Sequence, residues 1–192
     1  MPIEMKKNLT VAPMLIIAAM LLLVSQMAHA QRFMTRNGTV RFFSEAPLEN
    51  IEAVNRQVNA AYDAGNGEFV FRVLIRSFQF EKALMQEHFN ESYMESHKFP
   101  NATFRGTVES HEQVPTAKDG SYPVKVVGEL TIKGIARPVE AVGTLQVSGG
   151  RVRAQSTFTI LLADYGISIP APVVRNIARE IEITVDVNME KI

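Results

Sequence analysis

The chain has 192 residues and no cysteine. No disulfide can staple it, so burial alone must hold it together, and a cysteine-linked lipid at the N-terminus is excluded. Neither sign of charge is in excess, with 20 basic and 20 acidic residues. That balance argues against nucleic acid, which needs a basic face. No apolar run reaches the roughly 20 residues of a membrane-spanning helix. No glycine-rich phosphate loop follows a strand and opens a helix. The zinc-protease pattern HExxH and the nucleophile elbow GxSxG are both missing. There is no internal repeat, no low-complexity tract and no linker.

What is present begins with a leader. Lys6 and Lys7 precede the apolar run Met14 to Val24, and Ala28-His29-Ala30 places small residues where a signal peptidase reads. The pattern is that of a secretory signal peptide. Cleavage after Ala30 is expected to leave one domain, residues 31–192, in the periplasm or outside the cell. Without Lys6, Lys7 and Glu4 that domain carries 18 basic and 19 acidic residues. Its length suffices for a core of its own.

Most of this domain alternates apolar and polar residues with period two, the mark of strands with one buried face. Near the C-terminus Ile181, Ile183, Val185, Val187 and Met189 face one way, with Glu180, Glu182, Thr184, Asp186 and Asn188 opposite. The same alternation runs from Val124 to Ile132, Val139 to Val147, Arg151 to Leu161, Ala102 to Val108 and Phe69 to Ile75. Two weaker strands come earlier, Thr39 to Phe43 and Val54 to Tyr62. Asn37-Gly38 reads as a tight hairpin turn, since both central positions of a type I′ turn take positive φ. Asp63 to Gly67, Lys118 to Ser121, Ile132-Lys133-Gly134 and Ser148-Gly149-Gly150 mark further turns. Eight antiparallel strands form either a sandwich or an up-and-down barrel. Strands of nine to eleven residues, hairpin after hairpin, favour the barrel.

An eight-stranded barrel can be filled or can hold one small ligand. Gly106, Gly128 and Gly143 fall on apolar faces, beside Ala102, Ala141, Ala154 and Ser156. Small residues opposite Phe69, Phe71, Phe104 and Phe158 imply an apolar tunnel. The alternative is that the glycines mark bulges or bends.

One segment breaks the strand pattern. Phe80 to Glu91 has helical period, with Leu84 and His88 four apart and Met85 and Phe89 four apart, and contains neither glycine nor proline. It is expected to cross a barrel mouth or pack between strands, and Pro100 stops the second short turn behind it. His88, Glu87, Glu91, Glu95 and His97 crowd together here. A catalytic zinc site wants about three ligands in fixed geometry, and these spacings do not supply them. His88 is read as a half-buried packing residue, with no metal and no cofactor.

These residues resemble the YceI-like family of exported lipid- or polyisoprenoid-binding proteins. The resemblance rests on Phe99-Pro100 before Thr103-Phe104, on Gly128-Glu129-Leu130-Thr131-Ile132-Lys133-Gly134, and on the corner Asp164-Tyr165-Gly166-Ile167. It covers Gly67 to Met189. It implies a lipocalin-like antiparallel barrel around a long apolar tunnel for an isoprenoid chain. Two features depart from the pattern. The family's opening strand with a His-Ser pair is not evident, and Leu162 stands where an arginine is common. Both leave the ligand's identity open.

The resulting expectation is an exported module that carries or sequesters a long-chain amphiphile of isoprenoid type; contact with a membrane is compatible with it. Phe69, Phe71, Val73, Ile75, Phe104, Val126, Leu130, Leu145, Phe158 and Ile160 would line the tunnel. Gly128 and Gly143 would leave room for the chain. Leu84, Met85 and Phe89 would close one side, with Tyr165 and residues 167–174 as a rim. Two other readings stand beside it. One is an enzyme in the same cavity, with His88 as acid/base and Glu87 or Glu91 as its partner. The other is a structural barrel with a filled core.

Overall fold

The computed structural model describes residues 31–192. The leader and its cleavage site after Ala30 lie outside the described residues. Among the described residues no helix is long and apolar enough to cross a membrane.

The alternating segments become nine antiparallel strands. They are β1 (Arg32–Glu45), β2 (Asn50–Asp63), β3 (Glu68–Leu74), β4 (Gln79–Phe80), β5 (Asn101–Val108), β6 (Gly120–Ile132), β7 (Ile135–Ser148), β8 (Arg151–Leu161) and β9 (Glu180–Lys191). Eight of them make a ring in the order β1-β9-β8-β7-β6-β5-β3-β2, closed by pairing of β1 with β2. The two-residue β4 lies against the start of β2. One short helix, α1 (Ala83–His88), runs on into a π turn through Tyr93. The fold is thus an all-β, eight-stranded barrel with a short helical insertion.

The expected turn at Asn37-Gly38 is corrected. Both residues lie inside β1, a single strand of 14 residues, and neither has positive φ. The β1–β2 register slips on both sides of Gly38, which faces Val58. A Cβ on Gly38 would lie 2.5 Å from Val187 Cγ1. The glycine therefore admits Val187 from β9 at a bulge, a site that bends a strand and increases its twist. Genuine two-residue turns sit at Lys133-Gly134 (φ 50° and 76°) and Gly149-Gly150 (φ 56° and 76°), the positive values that a type I′ hairpin needs.

β3 pairs with β2 only through Asn59–Tyr62 and Phe69–Arg72. Where the two part, a fully buried Asn55 side chain replaces the ladder. Its Nδ2 donates to the Leu74 carbonyl at 2.8 Å and its Oδ1 accepts from the Gln57 N–H at 2.8 Å. Substitution Asn55→Leu would leave both backbone groups without this partner. A loss of about 1–3 kcal/mol is expected, read from the urea unfolding midpoint.

Two apolar clusters plug the barrel at different heights. The floor contains Phe33, Tyr62, Phe69, Val108, Leu145, Val152, Val187 and Met189. The upper cluster contains Ile75, Met94, Ile132, Ile160, Tyr165 and Ile181. The segment behind α1 is tied to the β6–β7 hairpin by Glu95, whose carboxylate accepts from Lys98 Nζ at 2.6 Å and from Lys133 Nζ at 2.8 Å. The hydrogen bonds from Lys133 and then Lys98 hold its pKa down at about 2. A carboxylate depressed in the folded state stabilises above its unfolded pKa, and that stabilisation disappears as pH falls toward the folded value. The stability gap between the parent and Glu95→Gln should therefore be constant near neutrality. It should shrink from about pH 4.5 downward and close near pH 2, as measured by urea midpoints across that range.

Candidate functional site: an apolar cavity

Between the two clusters the barrel is hollow. The cavity has a volume of about 400 Å³, within the roughly 300–1,000 Å³ of small-molecule sites. Its wall is the inward face of the strands: Val40 and Phe42 on β1, Phe69, Phe71 and Val73 on β3, Phe104 on β5, Val126 and Leu130 on β6, Leu145 on β7, Phe158 and Ile160 on β8, and Ile181, Ile183 and Val185 on β9. Ala102, Ala141, Ala154 and Ser156 also border it. Their short side chains, facing phenylalanines, create the empty volume.

Aromatic side chains organise the space in two groups. One climbs from the floor, Phe33 on Tyr62, Tyr62 on Phe69, Phe69 on Phe71 and Phe71 on Phe104, with ring centroids 4.6–6.5 Å apart. At its base the Tyr62 hydroxyl is buried with no hydrogen-bond partner, and burial first, then Asp63, pushes its pKa up to about 12. The other group sits at the upper end. Phe42, Phe78, Phe80 and Phe89 lie within 5.0–5.6 Å of one another in five pairs. This cluster seats α1 and its π turn on the barrel, since Phe89 comes from the turn, Phe42 from β1 and Phe80 from β4.

The cavity is bordered at this end by Glu49, Met85, His88, Val173 and Asn176, from the β1–β2 connection, α1 and the β8–β9 connection. Charged and amide groups lie here, while Thr103, Thr144, Gln155 and Ser156 border the cavity from the strands. Glu49 accepts from Lys82 Nζ at 2.6 Å, and that hydrogen bond holds its pKa below the usual carboxylate value. The β8–β9 connection is anchored by the buried Ser44 hydroxyl, which accepts from the Ala178 N–H at 2.9 Å, and by the Leu48 N–H, which donates to the Arg175 carbonyl at 3.0 Å.

Of the residues named from sequence, Phe69, Phe71, Val73, Ile75, Met85, Phe89, Phe104, Val126, Leu130, Gly143, Leu145, Phe158 and Ile160 border this one space. Three do not. Leu84 is 61% exposed on the outer side of α1, because the helix turns Met85 and Phe89 inward and carries Leu84 away. Tyr165 is 2% exposed in the upper cluster, while its neighbours Leu162 and Ile167 reach the cavity instead. Its corner is fixed by Gly166 at φ 64° and by Arg137 Nε donating to the Asp164 carbonyl at 2.9 Å.

Gly128 is the third, and the reason given for the glycines is corrected with it. Gly128 pairs with Gly106 across β5 and β6. A Cβ on Gly128 would lie 2.5 Å from both the Arg105 carbonyl oxygen and Gly106 Cα, and 2.7 Å from the Phe104 ring. Phe104 therefore covers the glycine pair, and the strand backbones leave no room for a side chain. Gly143 borders the cavity, yet its Cβ would meet the Gln155 carbonyl oxygen at 2.5 Å. Both glycines answer to close backbone approach rather than to ligand clearance. Gly128→Leu should therefore damage folding itself, by about 3 kcal/mol in thermal or urea unfolding. A well-folded variant that had merely lost cavity volume would contradict this.

Sequence reasoning missed Phe42, Phe78 and Phe80. Phe78 and Phe80 stand two apart, as on a strand face, which was the available signal. The histidines show no catalytic pairing. The one histidine ion pair among the described residues is His111 with Glu112. His88 borders the cavity but is exposed at the helix end rather than half-buried as expected. No cluster of three metal-ligating side chains occurs among the described residues.

Fold and cavity together define a hollow, lipocalin-like antiparallel barrel. The model of the YceI-like domain matches residues 25–189, and the chain belongs to that family. No curated protein sequence matches it. Solved structures do. A polyisoprenoid-binding domain from Saccharophagus degradans, implicated in plant cell wall breakdown, superposes with a TM-score of 0.74 at 14% identity, covering 85% of this chain and 99% of that one. BcnA from Burkholderia cenocepacia gives 0.63 at 18% identity over 79% and 95%. The YceI protein of Campylobacter jejuni gives 0.53 at 16% identity over 70% and 81%.

Proposed function

We propose that this protein is an exported carrier that holds a long-chain amphiphile, most simply an isoprenoid-type lipid, in the barrel cavity, and that it is not an enzyme. The observation that carries this reading is a cavity wall made chiefly of aliphatic and aromatic side chains, with Ser44, Glu49, His88 and Asn176 at one end and Thr103, Thr144, Gln155 and Ser156 along the strands. Such a site binds by removing apolar surface from water, at about 25 cal/mol per Å². It needs few polar contacts to do so. The chain of the ligand occupies the dry interior, and its polar end stays near Glu49, His88 and Asn176. Leu162, where the family commonly has arginine, lines the cavity with hydrocarbon, so no cation from that position contacts the head. Membership in the YceI-like family and the name of the Saccharophagus polyisoprenoid-binding domain support the binding role, and the signal-peptide pattern before Gln31 supports export.

The test is organic extraction of protein purified from the exported fraction, followed by mass spectrometry and N-terminal sequencing. The expected result is a long-chain lipid in near-stoichiometric amount on a chain that begins at Gln31. Ala154→Phe, which fills the cavity from β8, should lower the lipid content severalfold at a cost of about 1–3 kcal/mol for overpacking. Lipid-free parent protein, or full lipid content in a folded Ala154→Phe variant, would overturn the proposal.

A further inference from the structure

The barrel wall has a seam that the strand ladder does not close. β7 and β8 pair only from Gly143↔Ser156 to Ser148↔Arg151. β7 nevertheless stays paired with β6 down to Ile135, and β8 stays paired with β9 up to Leu161. Both strands thus continue in good order while facing each other without backbone hydrogen bonds. A frayed end would have lost its other partner as well.

The seam is pinned at both ends. At one end Ser156 Oγ donates to the Val142 carbonyl at 2.7 Å, meeting the first β7 acceptor that the ladder leaves free. At the other, Arg137 Nε holds the Asp164 carbonyl at 2.9 Å. Between the pins, β7 carries Pro138, which has no N–H to leave unpaired. The inner lips are Val139 and Ala141 on β7 and Phe158 and Ile160 on β8, and all four border the cavity. On the outer surface Val142 is 72% exposed and Leu161 44% exposed. Two of the large apolar side chains that face water in this molecule therefore stand at opposite ends of one slot, with Glu140, Thr157 and Thr159 exposed between them.

We infer that the seam is a lateral portal through which the hydrocarbon chain of the ligand enters and leaves sideways. The inference rests on the lipid-carrying role proposed above. An end-on route would draw a long chain past Glu49, His88 and Asn176, whereas the inner lips of the seam are all hydrocarbon and Val142 and Leu161 mark its outer ends.

The absence of cysteine makes the test direct. Val142→Cys with Thr157→Cys places one thiol on each lip, just beyond the last paired residues and outside the cavity lining. Glu140→Cys with Thr159→Cys does so farther along. Each pair is bridged by oxidation or by a short bifunctional thiol reagent. A third pair, Leu48→Cys with Val174→Cys, is bridged across the barrel end. The probe is cis-parinaric acid, with stopped-flow fluorescence for its exchange into phosphatidylcholine vesicles and a titration for its Kd.

Bridging the seam should slow exchange at least tenfold, leave Kd within about twofold, and be reversed by reduction of the oxidised form. Bridging the barrel end should leave the rate unchanged. A parental rate in either folded, seam-bridged variant would overturn the portal while leaving the carrier role intact. So would slowing produced only by the bridge at the barrel end. Parent protein that takes up no probe and yields no extractable lipid would overturn the carrier role, and the portal with it. The second seam pair keeps the test decisive if the first does not fold.

Discussion

Everything in this molecule depends on closing the ring of strands at β1. That strand pairs with β2 on one side and with β9 on the other, so the first described strand and the last become neighbours. Closure removes the free edges that an open sheet would expose. With no disulfide available, the ring's ladder and the burial of its inner face are what hold the fold. Long strands cannot curl round a small barrel without local bends, and the bends fall where β1 and β2 slip register together. Gly38 admits Val187 there, while Asn55 supplies the hydrogen bonds that β3 abandons. These two residues answer one geometric requirement, and neither approaches the cavity as a ligand contact.

The hollow interior follows from the same closure. A fixed ring encloses a fixed volume, and its inward residues alternate between bulky rings and alanine or serine. The floor is filled by Tyr62, Phe69, Leu145 and Met189. The upper end is held by the phenylalanine cluster that seats α1. Between them Ala102, Ala141, Ala154 and Ser156 leave volume that no side chain reaches. The insertion thus has a structural duty, and His88 lies at its end as a consequence of where Phe89 must pack.

Strand existence and facing were legible in the sequence because both depend on local alternation. Ile181 to Met189 points inward as the pattern requires, and so do Phe69, Phe71, Phe104 and Phe158. What was not legible depends on partners distant in sequence. Asn37-Gly38 has the chemistry of a turn, but Val187 decides its role from across β9. Gly128 looks like ligand clearance until Gly106 and the Phe104 ring are seen against it. Leu84 and Met85 are adjacent and equally apolar, and only the seat made by Phe42, Phe78 and Phe80 determines which turns inward. Tyr165 belongs to a recognisable corner, yet the path of Arg137 sets how deep that corner is buried.

The β7–β8 seam shows how a barrel tolerates an interruption that an open sheet could not safely carry. An unpaired strand edge invites another strand to add to it, and natural proteins blunt such edges with proline and charge. β7 has Arg137, Pro138 and Glu140 along its free stretch, and Glu140 is held outward by Lys125 Nζ at 2.8 Å. Proline interrupts any ladder that an incoming strand could form, while the charges oppose apolar stacking. The same stretch ends at Val142, where the protection stops and hydrocarbon faces water. Serving as the proposed portal, such a seam would discriminate by chemistry: it would reject a peptide backbone, which needs hydrogen bonds in register, and admit a chain that needs none.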